Sequence, residues 1–342
     1  MVQERRAAGL PARRFAVLHR RELMAALAAA GMVPAVTRAQ GAFPSRAVQM
    51  VVAFPPGGQA DVTARPTAAA LERVFNQPVP VVNRPGAGGI IGSASVARAA
   101  PDGYTALMAL SSLGVLPESE RIMGRPPAYT VDQLAPIARI TADPTVLLVP
   151  ASSPWRSVGD FVADAKKRPG AISFGSAGNY STLHVAMAMF TGAAEIDLLH
   201  VPFQGGGPAL TALLSGTVNS LSSGPGPALA HVKEGRLRAL ASWGRERIPG
   251  FEDVPTFIEL GYPDVEFYIW TGVFLPAATP EPVQGRWRDA LRQICQQDEA
   301  LRRALDAAGS PIAYQDGEAF DRFFRDDTAR LVKAVQRIGR VE

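Results

Sequence analysis

The chain has 342 residues, 47% of them hydrophobic and 19% charged, with 32 Gly, 29 Pro and a single Cys. That composition belongs to a folded protein of about two domains and excludes a disordered, collagenous or disulfide-stapled chain. The formal net charge is +4, but residues 1–39 hold seven Arg against two Glu and so carry all of the basic excess. The near-neutral remainder offers no electrostatic footprint for a nucleic acid.

Residues 1–39 read as a targeting segment. Behind His19-Arg20-Arg21-Glu22, the run Leu23–Val36 is fourteen residues long and uncharged. That is too short for a bilayer span and right for the apolar part of a signal peptide. Small residues follow at Thr37-Arg38-Ala39, so the exported chain would begin near Gln40. Arg20-Arg21 directly before the apolar run resembles a twin-arginine signal. Cys295 is alone and cannot form an internal disulfide; it reads as a small core residue within a helical pattern.

From there the expected elements alternate. A strand at Ala47–Phe54 leads into a helical stretch ending at Phe75, and a strand at Val79–Val82 follows. Next come a Gly-rich turn at Pro85–Gly92, a helix to about Ala100 and a strand at Tyr104–Leu110. The middle repeats this rhythm: strand Thr145–Val149, helix Val158–Lys167, strand Ile172–Phe174, helix Leu183–Thr191, strand Leu198–Val201 and helix Pro208–Ser215. Two long helical patterns, Val283–Ala308 and Gly317–Gly339, close the chain. Strands separated by helices of this length predict α/β architecture with parallel sheets and crossover connections. The steps at Asp143-Pro144 and Val265–Pro276 are the candidate crossings between two lobes. They divide the chain into residues 43–142 plus 265–342 as one lobe and 143–264 as the other.

Two loops between a strand and a helix carry the candidate chemistry. The first is Phe54-Pro55-Pro56-Gly57-Gly58-Gln59-Ala60-Asp61, whose glycines allow a close backbone approach to an anion at a helix start. Pro66 fits best in a first helical turn, so this helix is expected to begin near Thr63. The same residues also suit an ordinary turn with an Asp cap. The second loop is Gly175-Ser176-Ala177-Gly178-Asn179-Tyr180-Ser181-Thr182, a set of hydroxyls and amides suited to a carboxylate or phosphate, or a turn with a Ser/Thr cap. Pro85–Gly92 does not match a dinucleotide fingerprint, because its third glycine falls one position late. Phe174-Gly175-Ser176-Ala177-Gly178 fails the nucleophile elbow at its first glycine. His184, His200 and His231 lack metal-ligand spacing, so no metal and no cofactor is expected.

Taken in order, further motifs carry a resemblance. They are Phe54-Pro55-Pro56-Gly57-Gly58 with Asp61 and Arg65, Asn83-Arg84-Pro85-Gly86-Ala87-Gly88-Gly89, Ala100-Pro101-Asp102-Gly103-Tyr104-Thr105 and Ser176-Ala177-Gly178. His200-Val201-Pro202-Phe203, Gly235 to Leu240, Asp253-Val254-Pro255-Thr256 and Trp270 to Pro276 complete the series. Over residues 43–342 the chain resembles the substrate-binding proteins of tripartite tricarboxylate transporters, the Bug-type receptors. The resemblance implies a two-lobe periplasmic binding fold of type II-like form, each lobe a mostly parallel sheet flanked by helices, with a hinge and a central cleft. It implies capture of a small carboxylate without chemical change, delivery to membrane transporter subunits, a monomer and no catalytic residue.

By the same resemblance the ligand-binding residues are Gly57, Gly58, Gln59, Ala60 and Asp61 in the first loop. In the second they are Ser176, Ala177, Gly178, Asn179, Tyr180, Ser181 and Thr182, with Ser111 and Ser112 between. Tyr180 stands where the family has a small residue, and is expected to narrow the cleft, stack on an aromatic ligand or face solvent. Phe203-Gln204, Asn219, Ser222 and Ser223 also depart from the family pattern, which makes the pocket floor atypical. Two other roles stay open: a sensor that presents its closed form to a signalling partner, and an exported enzyme using the Ser-rich loop.

Overall fold

The computed structural model describes residues 43–341, so the targeting segment read at residues 1–39 lies outside the described residues. Sheet 1 is built on β1 (Gln49–Val52), β2 (Val81–Asn83), β3 (Thr105–Leu110), β4 (Leu134–Pro144), β10 (Tyr268–Pro276) and β11 (Ile312–Asp316), in the order β11-β4-β10-β3-β1-β2. Sheet 2 has the order β7-β6-β8-β5-β9, from β5 (Val146–Pro150), β6 (Ser173–Ser176), β7 (Leu199–Pro202), β8 (Ser220–Ser223) and β9 (Leu237–Ser242). The helices are α1 (Gln59–Phe75), α2 (Ile90–Ala97), α3 (Leu116–Ile122), α4 (Val158–Lys167) and α5 (Thr182–Ala194). After them come α6 (Gly206–Leu214), α7 (Pro225–Lys233), α8 (Glu281–Gln297), α9 (Glu299–Ala307) and α10 (Gly317–Ile338).

The α/β expectation holds, but neither sheet is mostly parallel. β1 pairs parallel with β2 and β3, and β6 with β7 and β8, as helical crossovers require. Every antiparallel pair includes β4, β5 or β10. These are the strands at the crossings: β4 runs through Thr145 straight into β5, and β10 brings the chain back into sheet 1. The two passages lie side by side, with Trp243 N–H donating to the Thr145 carbonyl and Phe267 N–H to the Trp243 carbonyl, both at 2.9 Å.

Along β5, Val146 and Leu148 join one apolar cluster while Leu147 and Val149 join another. Alternation of this kind means both faces of the sheet are covered. The second cluster is aromatic, with Trp155, Phe161, Phe190, Trp243 and Phe257. α10 reaches both clusters, placing Phe320 and Phe324 in the first and Leu331 and Val335 in the second.

Three local expectations are corrected. α1 starts at Gln59, not near Thr63, and carries Pro66 inside it; tertiary packing of Ala64, Thr67, Ala68 and Leu71 outweighs the missing N–H. The single helix expected over Val283–Ala308 is two. Asp298 breaks it, accepting the Leu301 N–H at 2.9 Å as the cap of α9 and pairing with Arg73 of α1. β4, the longest strand, was not expected, because Pro136 and Pro144 interrupt its pattern; Pro136 sits at a register shift, where a missing donor is tolerated.

Candidate functional site

Both predicted loops lie at the carboxyl end of a strand, β1 and β6, and each opens a helix. In the first, Gly57 turns the chain at φ +85°, a conformation that favours glycine. Asp61, 4% exposed, then fixes the loop. Its carboxylate accepts the Gly57 N–H at 3.2 Å, Arg65 Nε and Nη2 at 2.9 Å each, and Asn83 Nδ2 at 3.0 Å. Burial alone would raise its pKa, but the bonds from Arg65, Asn83 and Gly57 hold it below the usual value. Asp61 is thus saturated by the protein and shapes the loop from behind.

The second loop is fixed without a charge. Ser176 Oγ lies 2.6 Å from His200 Nε2, and it also accepts the Gly178 N–H at 3.2 Å. The rings of His184 and His200 stack at 4.0 Å and 1°, and His184 Nδ1 accepts the Tyr180 N–H at 2.9 Å. Burial pushes His184 down to about 3, with help from His200, and burial pushes His200 down to about 4. Both rings are therefore neutral near pH 7. Among the described residues no carboxylate bonds to His200, so the Ser176–His200 pair lacks the orienting acid of a hydrolytic triad.

Between the loops lies a cavity of about 410 Å³, counting the space at its solvent-open mouth. Phe54, Gly58, Gln59 and Ala60 line it from the first loop and α1, and Ala177, Ser181, Thr182 and Leu183 from the second loop and α5. Gly206 adds the start of α6, while Ser223, Gly224 and Pro227 add the end of β8 and the start of α7; Leu110 and Ile269 close it. Four helices therefore begin at this cavity. Three of them, α1, α6 and α7, have glycine caps (Gly58, Gly205 and Gly224) that make no side-chain bond to the first turn. Pro208 in α6 and Pro225 and Pro227 in α7 carry no N–H, so α7 offers only Gly226 among its first three residues. Uncapped N–H groups and aligned helix dipoles favour an anion, and no charged side chain lines the cavity to supply its own.

The walls meet through glycine. A Cβ on Gly178 would lie 3.0 Å from Gly88 Cα, and one on Gly88 would lie 3.1 Å from the Asn179 carbonyl. On the other side, Gly207 faces Pro56 and Gly57 so closely that a Cβ would be driven into the Pro56 carbonyl oxygen. Backbone thus packs on backbone on both flanks of the cavity.

Of the residues expected from sequence, Gly58, Gln59, Ala60, Ala177, Ser181 and Thr182 line the cavity. Ser111 stands behind it, its Oγ 3.4 Å from Thr182 Oγ1. Gly57, Asp61, Ser112 and Ser176 do not line it; the last two are buried. Gly178, Asn179 and Tyr180 line a separate surface depression with Ala87, Arg125 and Phe203. Tyr180 neither stacks in the cleft nor faces solvent. It is 2% exposed, and its hydroxyl donates to the Gly339 carbonyl at 2.7 Å and accepts the Val341 N–H at 3.1 Å. Gly206, Gly224 and Pro227 were missed. Ser223 was marked only as an unusual floor residue, and Asn219 bonds Ser173 instead of reaching the cavity.

Two mixed α/β sheets, joined by paired crossings and enclosing a site at the strand ends, define a periplasmic solute-binding receptor. The model of TctC, the tripartite tricarboxylate transporter family receptor, matches residues 63–340, and the chain belongs to this family. The chain is 34% identical to protein BugT of Bordetella pertussis over 300 residues, 87% of this chain and 90% of that one. Its structure is similar to MatC from Rhodopseudomonas palustris with bound malate (TM-score 0.79, 29% identity, 86% of this chain and 100% of that one). It is also similar to an R. palustris protein with adipate (TM-score 0.78, 27% identity, 86% and 98%).

Proposed function

We propose that this protein captures a small carboxylate in the cavity between the sheets and passes it to the membrane subunits of a tripartite tricarboxylate transporter. The observation that carries this reading is the convergence of four helix starts, three of them capped by glycine alone, on a cavity without a charged side chain. A carboxylate satisfies such amides, and exclusion of water strengthens each bond. The malate and adipate held by the similar structures belong to the same chemical class. Tyr180 is engaged by the chain's own end, so the ligand need not be aromatic.

The protein works as an exported monomer, its leader at residues 1–39 removed. Its two lobes, residues 43–142 with 265–342 and residues 143–264, pivot where Thr145, Trp243 and Phe267 run side by side. The ligand stabilises the closed form by its differential affinity for it. Among the described residues no helix is long and apolar enough to cross a membrane, and no cluster of His, Cys, Asp or Glu could hold a metal ion.

Thermal unfolding against a panel of mono- and dicarboxylates tests the reading, with mass spectrometry of the purified protein for retained ligand. An acid at a hundred times its Kd adds about 2.7 kcal/mol, a rise of a few degrees in Tm. A panel without any saturable shift, and a protein that carries no acid, would overturn it.

A further inference from the structure

Among the described residues, Gln59 brings the only side-chain amide into the cavity wall, and its two ends are treated unequally. Nε2 donates to Asp143 Oδ2 at 3.0 Å and to Ser310 Oγ at 2.8 Å. Oε1 is buried with no partner. It is turned towards Gly224, another cavity residue, so closely that a Cβ at 224 would collide with it. An unpaired acceptor in this position suits a ligand that brings a hydrogen-bond donor. It opposes a carboxylate, which brings acceptors only. The helix starts around the same cavity ask for an anion. The two demands are reconciled if the amide can turn over.

Asp143 supplies the means. It is 2% exposed near the end of β4. α1 presents Gln59 to it, the segment before β11 presents Ser310, its own strand presents Thr141, and β10 carries Ile269 beside it. Among the described residues no cation bonds to it. Burial pushes its carboxyl up to about 7, against hydrogen bonds from Ser310 and Thr141. Ionised, Asp143 can only accept, and Nε2 must face it. Protonated, it can donate to Oε1, and the turned amide then directs its NH2 at the cavity. Ser310, which accepts from Nε2 while its single proton is given to the ionised carboxylate, follows by turning that proton from Asp143 to Oε1.

We propose that Gln59 is a turning amide whose orientation is set by Asp143, so that a carboxylate enters the cavity together with one proton, which Asp143 takes from solvent. The proposal rests on the carboxylate reading of the cavity. A ligand that aims a hydroxyl at Oε1 binds with the amide unturned and takes up no proton.

The pair is tested first without ligand. In 13C,15N-labelled protein the side-chain amide signals of Gln59, assigned by their loss in Gln59→Leu, are followed from pH 5 to 9 with the Asp143 carboxyl carbon. The two residues are expected to share one midpoint, and the Gln59 signals to stand still in Asp143→Asn. Gln59 signals that do not move while Asp143 titrates overturn the proposal, as does an Asp143 that stays ionised throughout. Should Asp143→Asn not fold, the shared or separate midpoints of the unsubstituted protein decide.

Calorimetry at pH 8 then uses adipate, which has no hydroxyl, in two buffers of different ionisation enthalpy. Uptake approaching one proton is expected, with Kd weakening about tenfold per pH unit above the midpoint, and both lost in Asp143→Asn. Binding of adipate with no proton uptake overturns the coupling. If the amide turns as expected but no acid of the panel binds, the carboxylate reading falls and the turning pair stands.

Discussion

The two loops that wall the cavity do the same job by different means. The first is held by a charge: Asp61 takes bonds from Arg65, Asn83 and the Gly57 amide. The second is held by neutral groups, Ser176 on His200 and Tyr180 N–H on His184, with the two imidazoles stacked. A carboxylate brace works only when ionised and an imidazole brace of this kind only when neutral. The loops are therefore expected to fail in different pH windows, and the second fails first.

The largest effect follows from that difference. His184 and His200 are held below their usual 6.5, at about 3 and about 4. A group whose folded pKa is depressed binds more protons unfolded, so its stabilisation is complete above pH 6.5 and drains away as pH falls towards 4. The loss by pH 4 is on the order of 3 kcal/mol for each ring taken alone, at about 1.4 kcal/mol per pH unit, and less than twice that for the stacked, coupled pair. Asp143 acts with the opposite sign: its raised pKa of about 7 adds stability as pH falls through the same range. Urea unfolding from pH 7.5 to 4 in an Asp143→Asn background separates them. A flat profile there would mean the imidazoles do not brace the loop as neutral rings.

Asp61→Ala comes next. It leaves the Gly57 N–H and one N–H of the Asn83 amide without an acceptor, the other staying on the Phe54 carbonyl, and Arg65 loses its carboxylate partner. Arg65 is half exposed, so the loss lies near 2 kcal/mol, about what a buried unsatisfied donor costs, and below that of a fully buried pair. Asp61 is depressed from 3.8, so its contribution persists down to about that pH and is lost below it. The difference between Asp61→Ala and the unsubstituted protein, constant from pH 7 to 5, checks both points.

Part of this was legible in the sequence and part was not. The glycine loops announce themselves, because a strand, a Gly-Gly or Ser-Ala-Gly turn and a helix lie within a dozen residues of each other. The helix Val158–Lys167 was expected, but the reciprocal box of Ser157 and Asp160 that caps it, equally local, was not read. What holds the loops is remote. Asp143 is 84 residues from Gln59, His200 is 24 from Ser176, and Gly339 is 159 from Tyr180. Asp61 was ambiguous for an instructive reason: an Asp at a helix start suits a brace and a ligand contact equally well, and its remote partner Asn83 is what makes it a brace here.

The glycine seam offers a third test, directed at closure instead of folding. Gly207 lies in the first turn of α6 at an ordinary φ, so Ala is compatible with its backbone. In this structure its added methyl would be driven into the Pro56 carbonyl oxygen across the seam between the walls. Gly207→Ala should leave Tm within about 1 kcal/mol of stability of its starting value. Affinity for any acid that shifts Tm should fall at least tenfold, since the closed form becomes inaccessible. Unchanged affinity would mean the ligand is held without the contact of Gly207 on Pro56.

The smallest effect belongs to Tyr180→Phe. The ring stays buried, but the Gly339 carbonyl and the Val341 N–H lose their common partner. Two bonds at a partly buried chain end are worth about 1 kcal/mol together. Because α10 packs on both apolar clusters, this end of the chain ties the second loop to the helix that spans them. Hydrogen exchange should therefore quicken at residues 336–341 and also at the Ser181 and Thr182 amides, some 160 positions away. Faster exchange at the chain end alone would show that Tyr180 anchors the terminus without steadying the loop.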